Sequence, residues 1–398
     1  MIRKVKQITG FLFLGGWVIG QIARMPGEFP LTLLDASVFL LIIINFNRAD
    51  WSAILDKFKG IFLILFLSWV LALRLFTIQQ ALPGLVYLLR TLMYFLFIFK
   101  AEDLLAGVKK WIPLTVGIFV TLGLLQYFLI PDTRFLLRFG WDEHYYRLIG
   151  TVLDPNYMGA MVGMIMIYAI KREEGIGKKE EGEVWKRKNT WLAIASFTAL
   201  VLTWSRASWV ATFTALVIYF FCSRTTLNKA LGIFGILGIL GFGLWLVAPK
   251  PGGEGVNLLR ASSILQRLDS WQEGLEVWKS HSLAGVGFNN YKVAQATQVT
   301  QVARANHAAN APSNSWILIL ATIGVFGIIG VIREIGAIGK IKKIRTYQQI
   351  ILLVAIHSLF NNTLFFPPVL GLLALMVASS PSAGPEFDSR PDRSRPHR

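Results

Sequence analysis

Apolar residues come in long runs along most of the chain, separated by short connections rich in charge, glycine or proline. Runs of about 17 or more apolar residues are typical of transmembrane helices, because about 20 residues at 1.5 Å each cover about 30 Å of hydrocarbon. The pattern predicts twelve spans, near positions 8–23, 29–46, 59–76, 80–99, 111–130, 153–170, 190–204, 207–222, 230–248, 313–332, 348–363 and 366–380. We therefore expect an all-α, polytopic membrane protein.

The basic residues predict how these spans are oriented. Most of the 40 lysines and arginines fall in the N-terminal segment, in every second connection and in the C-terminal tail. The positive-inside rule places such segments in the cytoplasm, so both termini are expected there. In a soluble protein the net charge of +17 would suggest nucleic acid, but here topology accounts for most of it and no nucleic-acid partner is expected.

The polar segments predict the domain organisation. Residues 1–380 are expected to form a single integral membrane domain, with a cytoplasmic linker at 171–189 and a large outside loop at 248–312. The polar, proline-rich end at 381–398 is expected to be a disordered cytoplasmic tail.

The large outside loop is expected to carry short helices. Its segment "SSILQRLDSWQEGLEVWKSH" places Ile264, Leu268, Trp271 and Leu275 at helical spacing. We predict an amphipathic helix that packs on the membrane domain through this face.

The sequence excludes several kinds of site. A single cysteine, Cys222, allows neither an intrachain disulfide nor a site built from several thiolates. The glycine-rich "GVGFNN" at 285–290 follows a predicted helix and fits neither a Walker A nor a dinucleotide motif. No metal-ligand spacing or Ser-His-Asp set is evident, so no cofactor or metal is expected.

Arg206 lies in "TWSRASW", at the predicted tip between spans seven and eight. One interpretation is an arginine at a helix end that lifts its charge to the membrane interface. The other is a fixed cation for an anionic lipid headgroup, because guanidinium matches phosphate bidentately. Arg267, on the predicted loop helix, is open to two similar interpretations: a helix residue paired with Asp269 or Glu273, or a second cation. Several outside arginines converging on one cavity would form a diphosphate clamp.

Other ionisable residues lie within or beside the spans. Asp154 followed by Pro155 is the expected start of a helix, which leaves Arg147 and Asn156 unexplained. Asp35 and Arg90 fall inside spans two and four, where charged groups are usually paired, and they could pair with each other.

The histidines differ in setting. His144, His281 and His307 lie in outside loops, and His307 comes directly before span ten. His357, in "HSLFNN", is expected to face the interior of the bundle.

From about residue 147 to 378 the chain resembles the bacterial O-antigen ligase and polymerase family of membrane glycosyltransferases. The matching stretches are "RLIGTVLDPNYMGA", "TWSRASW", "QRLDSWQEGLEVWKSHSLAGVGFNNY", "SNSWILILATIGVFGIIG" and "HSLFNNTLFFPPVLGLLAL". Their order, their spacing and the large outside loop carry the resemblance together.

The resemblance implies a function and a place in the cell. Such proteins transfer a glycan from a polyprenyl diphosphate to a lipid A core or to another glycan, without a metal. They lie in the bacterial inner membrane, among membrane lipids, with the active site facing the periplasm. The ligase reaction is the first expectation, and a polymerase of the same family is the second. Two further hypotheses are a transporter of lipid-linked glycans and an inactive scaffold. Many transporters contain repeated halves, and the sequence shows no internal repeat.

The resemblance also implies roles for residues. Arg206 and Arg267 match the arginines that hold the donor diphosphate. Apart from these two arginines, we expect the substrate-binding residues to be Arg147, Asp154, Asn156, Ser313, Asn314 and Arg90, most of which stand out by their position in the sequence alone.

The chain departs from the family pattern at one position. The family has His-Asn where this chain has Ser313-Asn314, and that histidine is the proposed base. Serine is no base at neutral pH, so we expect His307 to take its place. The alternatives are that another outside group, Asp154, Glu143 or His144, accepts the proton, or that the activity is altered.

Overall fold

The computed structural model describes residues 2–24, 31–46, 48–172, 183–222, 227–250, 255–298, 311–338 and 347–379. These residues form helices and short 3-10 turns, with two isolated β-bridges and no β-strand, so the all-α prediction is confirmed for them. His307, the tail 381–398 and the middle of the predicted linker lie outside the described residues.

The described residues form fourteen α-helices. They are α1 (Ile2–Ile19), α2 (Leu33–Ile44), α3 (Arg48–Ala72), α4 (Ile78–Leu104), α5 (Ile112–Leu129), α6 (Pro155–Lys171), α7 (Glu183–Leu202), α8 (Arg206–Cys222), α9 (Leu227–Val247), α10 (Ser262–Ser280), α11 (Tyr291–Gln298), α12 (Ser315–Ile338), α13 (Gln348–His357) and α14 (Pro367–Ser379).

Each predicted span coincides with one of these helices, but their lengths differ. Three segments of the described chain are long and apolar enough to cross a membrane: Ile78–Leu104, Ala106–Leu129 and Ser315–Arg333. Helices α13 and α14 have only 10 and 13 residues, which at 1.5 Å per residue is well short of about 30 Å. Twelve full spans therefore stay a prediction. Because α14 is buried on nearly all sides, its apolar sequence reflects burial among other helices.

Helix α6 lies at the centre of the largest hydrophobic core. Nearly all its side chains from Pro155 to Ile167 are buried, as expected of a helix that is apolar on every side. Gly159 allows α8 to approach closely, since a Cβ there would lie 2.6 Å from Ser208 Oγ. The close approach places the beginnings of α6 and α8 side by side.

The predicted pair of Asp35 and Arg90 is confirmed. Arg90 Nε and Nη2 donate to Asp35 Oδ1 and Oδ2 at 2.8 and 2.6 Å, and Tyr94 OH donates to Oδ1 at 2.9 Å. Thr32 Oγ1 caps α2 by accepting from the Asp35 amide, and Asp35 Oδ2 accepts from the Thr32 amide in return. The ion pair therefore joins α2 to α4 and accounts for both charges inside the bundle.

The predicted helix of the large loop is confirmed as α10, but the predicted packing face is only partly right, since of its four residues only Trp271 and Leu275 are half-buried. Ile264 and Leu268 are 47% and 50% exposed, whereas Gly274 and Val277 are buried. The reason is close packing, because a Cβ on Gly274 would lie 2.6 Å from Ile317 Cγ2 of α12. The glycine, rather than the bulky apolar residues, selects the face that meets the bundle.

The segment "GVGFNN" docks into a break in α12. The amide groups of Val286 and Gly287 donate to the carbonyl oxygens of Ala321 and Thr322 at 2.9 and 2.8 Å. The break occurs at Gly324, whose φ of 64° and ψ of −174° are essentially restricted to glycine. The glycine-rich motif therefore has a structural role here.

We expect Gly324→Ala to destabilise the protein by about 1–3 kcal/mol, because alanine must adopt a strained backbone conformation at this position. The measurement is thermal unfolding of the purified protein in detergent. Gly117→Ala is the control, since its Cβ would meet nothing within 4 Å on the helical backbone of α5. An equal melting temperature for both variants would contradict the expectation.

Candidate functional site

The tip between α7 and α8 is tied to the large loop by Arg206. Its Nη1 donates to the Leu258 carbonyl at 2.9 Å, and its Nη2 donates to the Arg260 carbonyl at 3.0 Å and to Ser263 Oγ at 2.8 Å. The guanidinium thus contacts protein oxygens at the entry to α10. These three hydrogen bonds to protein oxygens differ from the interpretation in which Arg206 extends its charge to the membrane interface.

Four arginines from three segments come together here: Arg147, Arg206, Arg260 and Arg267, which we call the arginine cluster. Burial lowers the pKa of Arg147 to about 9, and the charges of the other three contribute. Burial also lowers the pKa of Arg267, with Arg206 the next cause. The ion pairs among the described residues do not involve Arg147, Arg206 or Arg267. The cluster is therefore a region of concentrated positive charge.

Arg147 is the most buried member of the arginine cluster, at 7% exposure. Its Nε donates to the Thr203 carbonyl at 3.0 Å, while Nη2 is buried without a hydrogen-bond partner. A buried, unsatisfied guanidinium donor is costly, and an anion would remove that cost. The charge of Asp154 favours the protonated form of Arg147. The Asp154 Oδ1 atom, however, accepts hydrogen bonds from the amide groups of Asn156 and Tyr157 at 2.7 and 3.0 Å. It caps α6, as the sequence predicts.

A chain of hydrogen bonds runs beneath the arginine cluster. Ser205 Oγ donates to Asn156 Oδ1 at 2.8 Å, and Ser208 Oγ donates to the Asn156 carbonyl at 2.9 Å. His357 Nε2 lies 3.1 Å from Ser208 Oγ, and Nδ1 lies 2.6 Å from Thr363 Oγ1. His357 is fully buried, which confirms that it faces the bundle interior.

Ser205 and Ser208 were not among the predicted site residues. Their spacing of three residues at the start of an apolar helix could have pointed to them, because residues three apart lie on the same face of a helix.

Ser313 and Asn314 lie where α12 begins. Asn314 Oδ1 accepts from the amide groups of Trp316 and Ile317 at 2.8 and 3.1 Å, so it caps the helix. The Ser313 amide donates to Ser270 Oγ at 2.9 Å, one turn of α10 beyond Arg267. Ser313 Oγ is buried without a partner.

The other candidate bases have different surroundings. Glu143 is exposed, whereas His144 is half-buried beside the arginine cluster. Burial, followed by the charges of Arg147 and Arg260, lowers the pKa of His144 to about 3. His144 is therefore neutral at pH 5–8, but it is a weak proton acceptor.

Arg90 is not brought to this region, because its guanidinium is held by Asp35. Among the described residues there is also no group of three or more His, Cys, Asp or Glu side chains that could hold a metal.

An apolar groove of about 430 Å³ lies between α7, α8 and α9 and is also lined by Leu258 of the large loop. The Leu258 carbonyl accepts a hydrogen bond from Arg206, so the groove lies beside the arginine cluster. The other lining residues are Phe197, Leu200, Val201, Trp209, Phe213, Leu237, Gly238, Gly241, Phe242 and Trp245. An amphiphile could place an apolar chain in the groove and an anionic group on the arginines.

Comparison with known proteins finds a similarity to one family. Residues 191–332 match the family model described as O-antigen ligase. The match contains Arg206, Arg260 and Arg267, and it stops short of Arg147 on its N-terminal side. A comparison with curated proteins finds no match. The family has an O-antigen ligase or polymerase type of function in polysaccharide biosynthesis, acting on lipid-linked glycans. Over these residues, 142 of the 398 in the chain, the protein is similar to the O-antigen ligase family.

Proposed function

We propose that this protein transfers a glycan from a polyprenyl diphosphate to a hydroxyl acceptor at the periplasmic face of the bacterial inner membrane. The observation that carries the proposal is the arginine cluster at the end of an apolar groove between α7, α8 and α9. A polyprenyl chain fits the groove by its chemistry, and a diphosphate fits the arginines by its charge. The acceptor is a lipid A core in the ligase form of the proposal.

The reaction is a direct displacement with inversion. The acceptor oxygen attacks the anomeric carbon, the bond from that carbon to the diphosphate oxygen breaks, and the hydroxyl proton passes to a base. Negative charge develops on the leaving diphosphate, where fixed guanidinium groups stabilise it without reorganising. Arg206 and Arg267 are proposed to hold the diphosphate. Arg147 is proposed to donate a further hydrogen bond to it from its unpaired Nη2.

His307 is the proposed base, since an imidazole with a pKa near 6.5 is an effective proton acceptor at neutral pH. His144 lies beside the cluster, but its pKa of about 3 makes it a weaker base. The Asp154 carboxylate already accepts two amide hydrogen bonds at the start of α6.

The remaining polar residues are proposed to shape the acceptor side. Ser313 has a buried hydroxyl without a protein partner among the described residues. Asn314 caps α12, and Asn156 of α6 accepts from Ser205, which directly precedes α8. Arg90 contributes only by holding α2 against α4.

A polymerase of the same family is the second candidate, because the arginine cluster and the groove serve any acceptor hydroxyl equally. A transporter of lipid-linked glycan is the candidate from another class. The sequence has no internal repeat of the kind that many transporters show, which favours transfer over transport.

The test uses the purified full-length protein in detergent with a labelled polyprenyl-diphosphate glycan and either lipid A core or a second glycan. We expect a product in which the label has moved to one acceptor, without nucleotide sugar, an ion gradient or added metal. A product with lipid A core identifies a ligase, and a lengthened glycan identifies a polymerase. No product with either acceptor, together with movement of the donor across vesicles, would favour transport.

A further inference from the structure

A second and larger cavity, of about 850 Å³, lies apart from the arginine cluster. It is enclosed by the turn that follows α1, the second half of α5 and the connection between α5 and α6. Leu122, Leu125 and Leu129 of α5 line it and are also exposed on the bundle surface. The cavity therefore opens sideways, towards the hydrocarbon that surrounds a membrane helix. Neither the family match nor the proposed transfer reaction assigns a role to it.

The far wall of this cavity is an amphipathic turn. The 3-10 turn Arg134–Phe139 contributes Phe135, Leu136 and Phe139, and Phe135 and Phe139 are largely exposed. Its Arg134 is paired with Asp132 at 2.6 Å. An apolar turn beside a membrane helix is typical of a segment at the bilayer interface. The cavity between them suits an acyl chain.

Arg24 and Thr151 are among the polar residues that line the cavity, together with Gln21, Gln126 and Thr133. Arg24 lies there with its guanidinium 5.3 Å from the ring centroid of Trp141, and within the described residues no carboxylate pairs with it. Thr151 is 8% exposed, and its Oγ1 is buried without a hydrogen-bond partner. A cation and an unsatisfied hydroxyl in an apolar cavity are suited to a phosphate.

We propose that this cavity binds an anionic phospholipid of the outer leaflet, with an acyl chain between α5 and the turn and the phosphate against Arg24 and Thr151. The charge of Arg24 selects an anionic headgroup over a zwitterionic one. The segment that carries Thr151 also carries Arg147 and Asp154, so the lipid supports the wall that the cavity shares with the catalytic side. Gln126 holds this wall, since its Oε1 accepts from the amide groups of Ile149 and Gly150 at 2.9 and 3.1 Å.

The test is photo-labelling in phosphatidylcholine nanodiscs that contain the full-length protein and a trace of photoreactive lipid. We expect diazirine-bearing phosphatidylglycerol to label peptides covering Leu122–Ile130 or Phe135–Phe139, and the matched phosphatidylcholine probe to label them much less. Arg24→Gln should lower the phosphatidylglycerol labelling by about tenfold, as expected for one lost charge-assisted hydrogen bond. The readout is lipid binding, so it does not depend on glycan transfer.

Matched variants separate binding from folding. Leu125→Trp fills the cavity and should abolish the labelling, whereas Ile118→Trp, an exposed position on the same helix outside the cavity, should leave it unchanged. Arg138→Gln, an arginine of the turn outside the cavity lining, should also leave it unchanged. Equal labelling by the two lipids, or undiminished labelling in Leu125→Trp, would overturn the proposal.

Discussion

Arg206→Ala and Arg267→Ala are each expected to lower glycan transfer by at least about 10²-fold, the usual loss when a group that stabilises transition-state charge is removed. Within the described part of the chain neither side chain forms an ion pair with a carboxylate, so the diphosphate would be their counter-charge. Lysine should restore little activity at either position, because a point charge does not reproduce the planar fork. The measurement is the initial rate of glycan transfer from a labelled donor at a saturating concentration of acceptor.

Arg206 also tethers the large loop, and a control must separate the two roles. Ser263→Ala removes one acceptor of that tether, the 2.8 Å bond from Arg206 Nη2, and keeps the cation. We expect near-normal transfer from this variant. Arg138→Ala, an exposed arginine of the α5–α6 connection, should also be near normal. Normal rates in both arginine-cluster variants would remove the clamp from the mechanism.

His307→Ala is expected to lower turnover by about 10²–10⁴-fold, the range for lost general-base assistance. Donor binding should survive, because the arginines rather than the histidine hold the diphosphate. In the wild type the rate should fall as pH drops through about 6.5, where a neutral imidazole takes up a proton and can no longer accept one.

The pH profile distinguishes His307 from His144. With a pKa of about 3, His144 stays neutral from pH 5 to 8, so its titration cannot produce a fall in rate near pH 6.5. The fall should therefore disappear in His307→Ala and persist in His144→Ala. Wild-type turnover in His307→Ala, with a flat profile from about pH 5 to 8, would leave a site that acts by position and charge alone.

The sequence by itself determined the features that depend on local patterns. Long apolar runs predict helices wherever they occur, because a helix satisfies its own backbone hydrogen bonds. The cap at Asp154 and the loop helix α10 follow from neighbouring residues in the same way. The rarity of charge inside apolar segments also made the pairing of Asp35 with Arg90 predictable, although they are 55 residues apart.

The candidate site was only partly predictable. The resemblance singled out Arg206 and Arg267, which the structure places in one cluster. Arg90 was also expected to bind substrate, but it forms an ion pair between α2 and α4. Arg147 and Asn156 were expected near the site, but not the unpaired Nη2 of Arg147 or the bond from Asn156 to Ser205.

Only the tertiary structure decided which distant residues meet. Gly159 brings α8 against α6 and completes the chain of hydrogen bonds from Asn156 to His357, and Gly274 turns α10 so that its small residues face α12. Helical periodicity marks the apolar face of a helix, but the partner helix selects the face that permits closest packing. For the same reason the groove between α7, α8 and α9 and the cavity beside α5 are properties of packed helices, which no single stretch of sequence encodes.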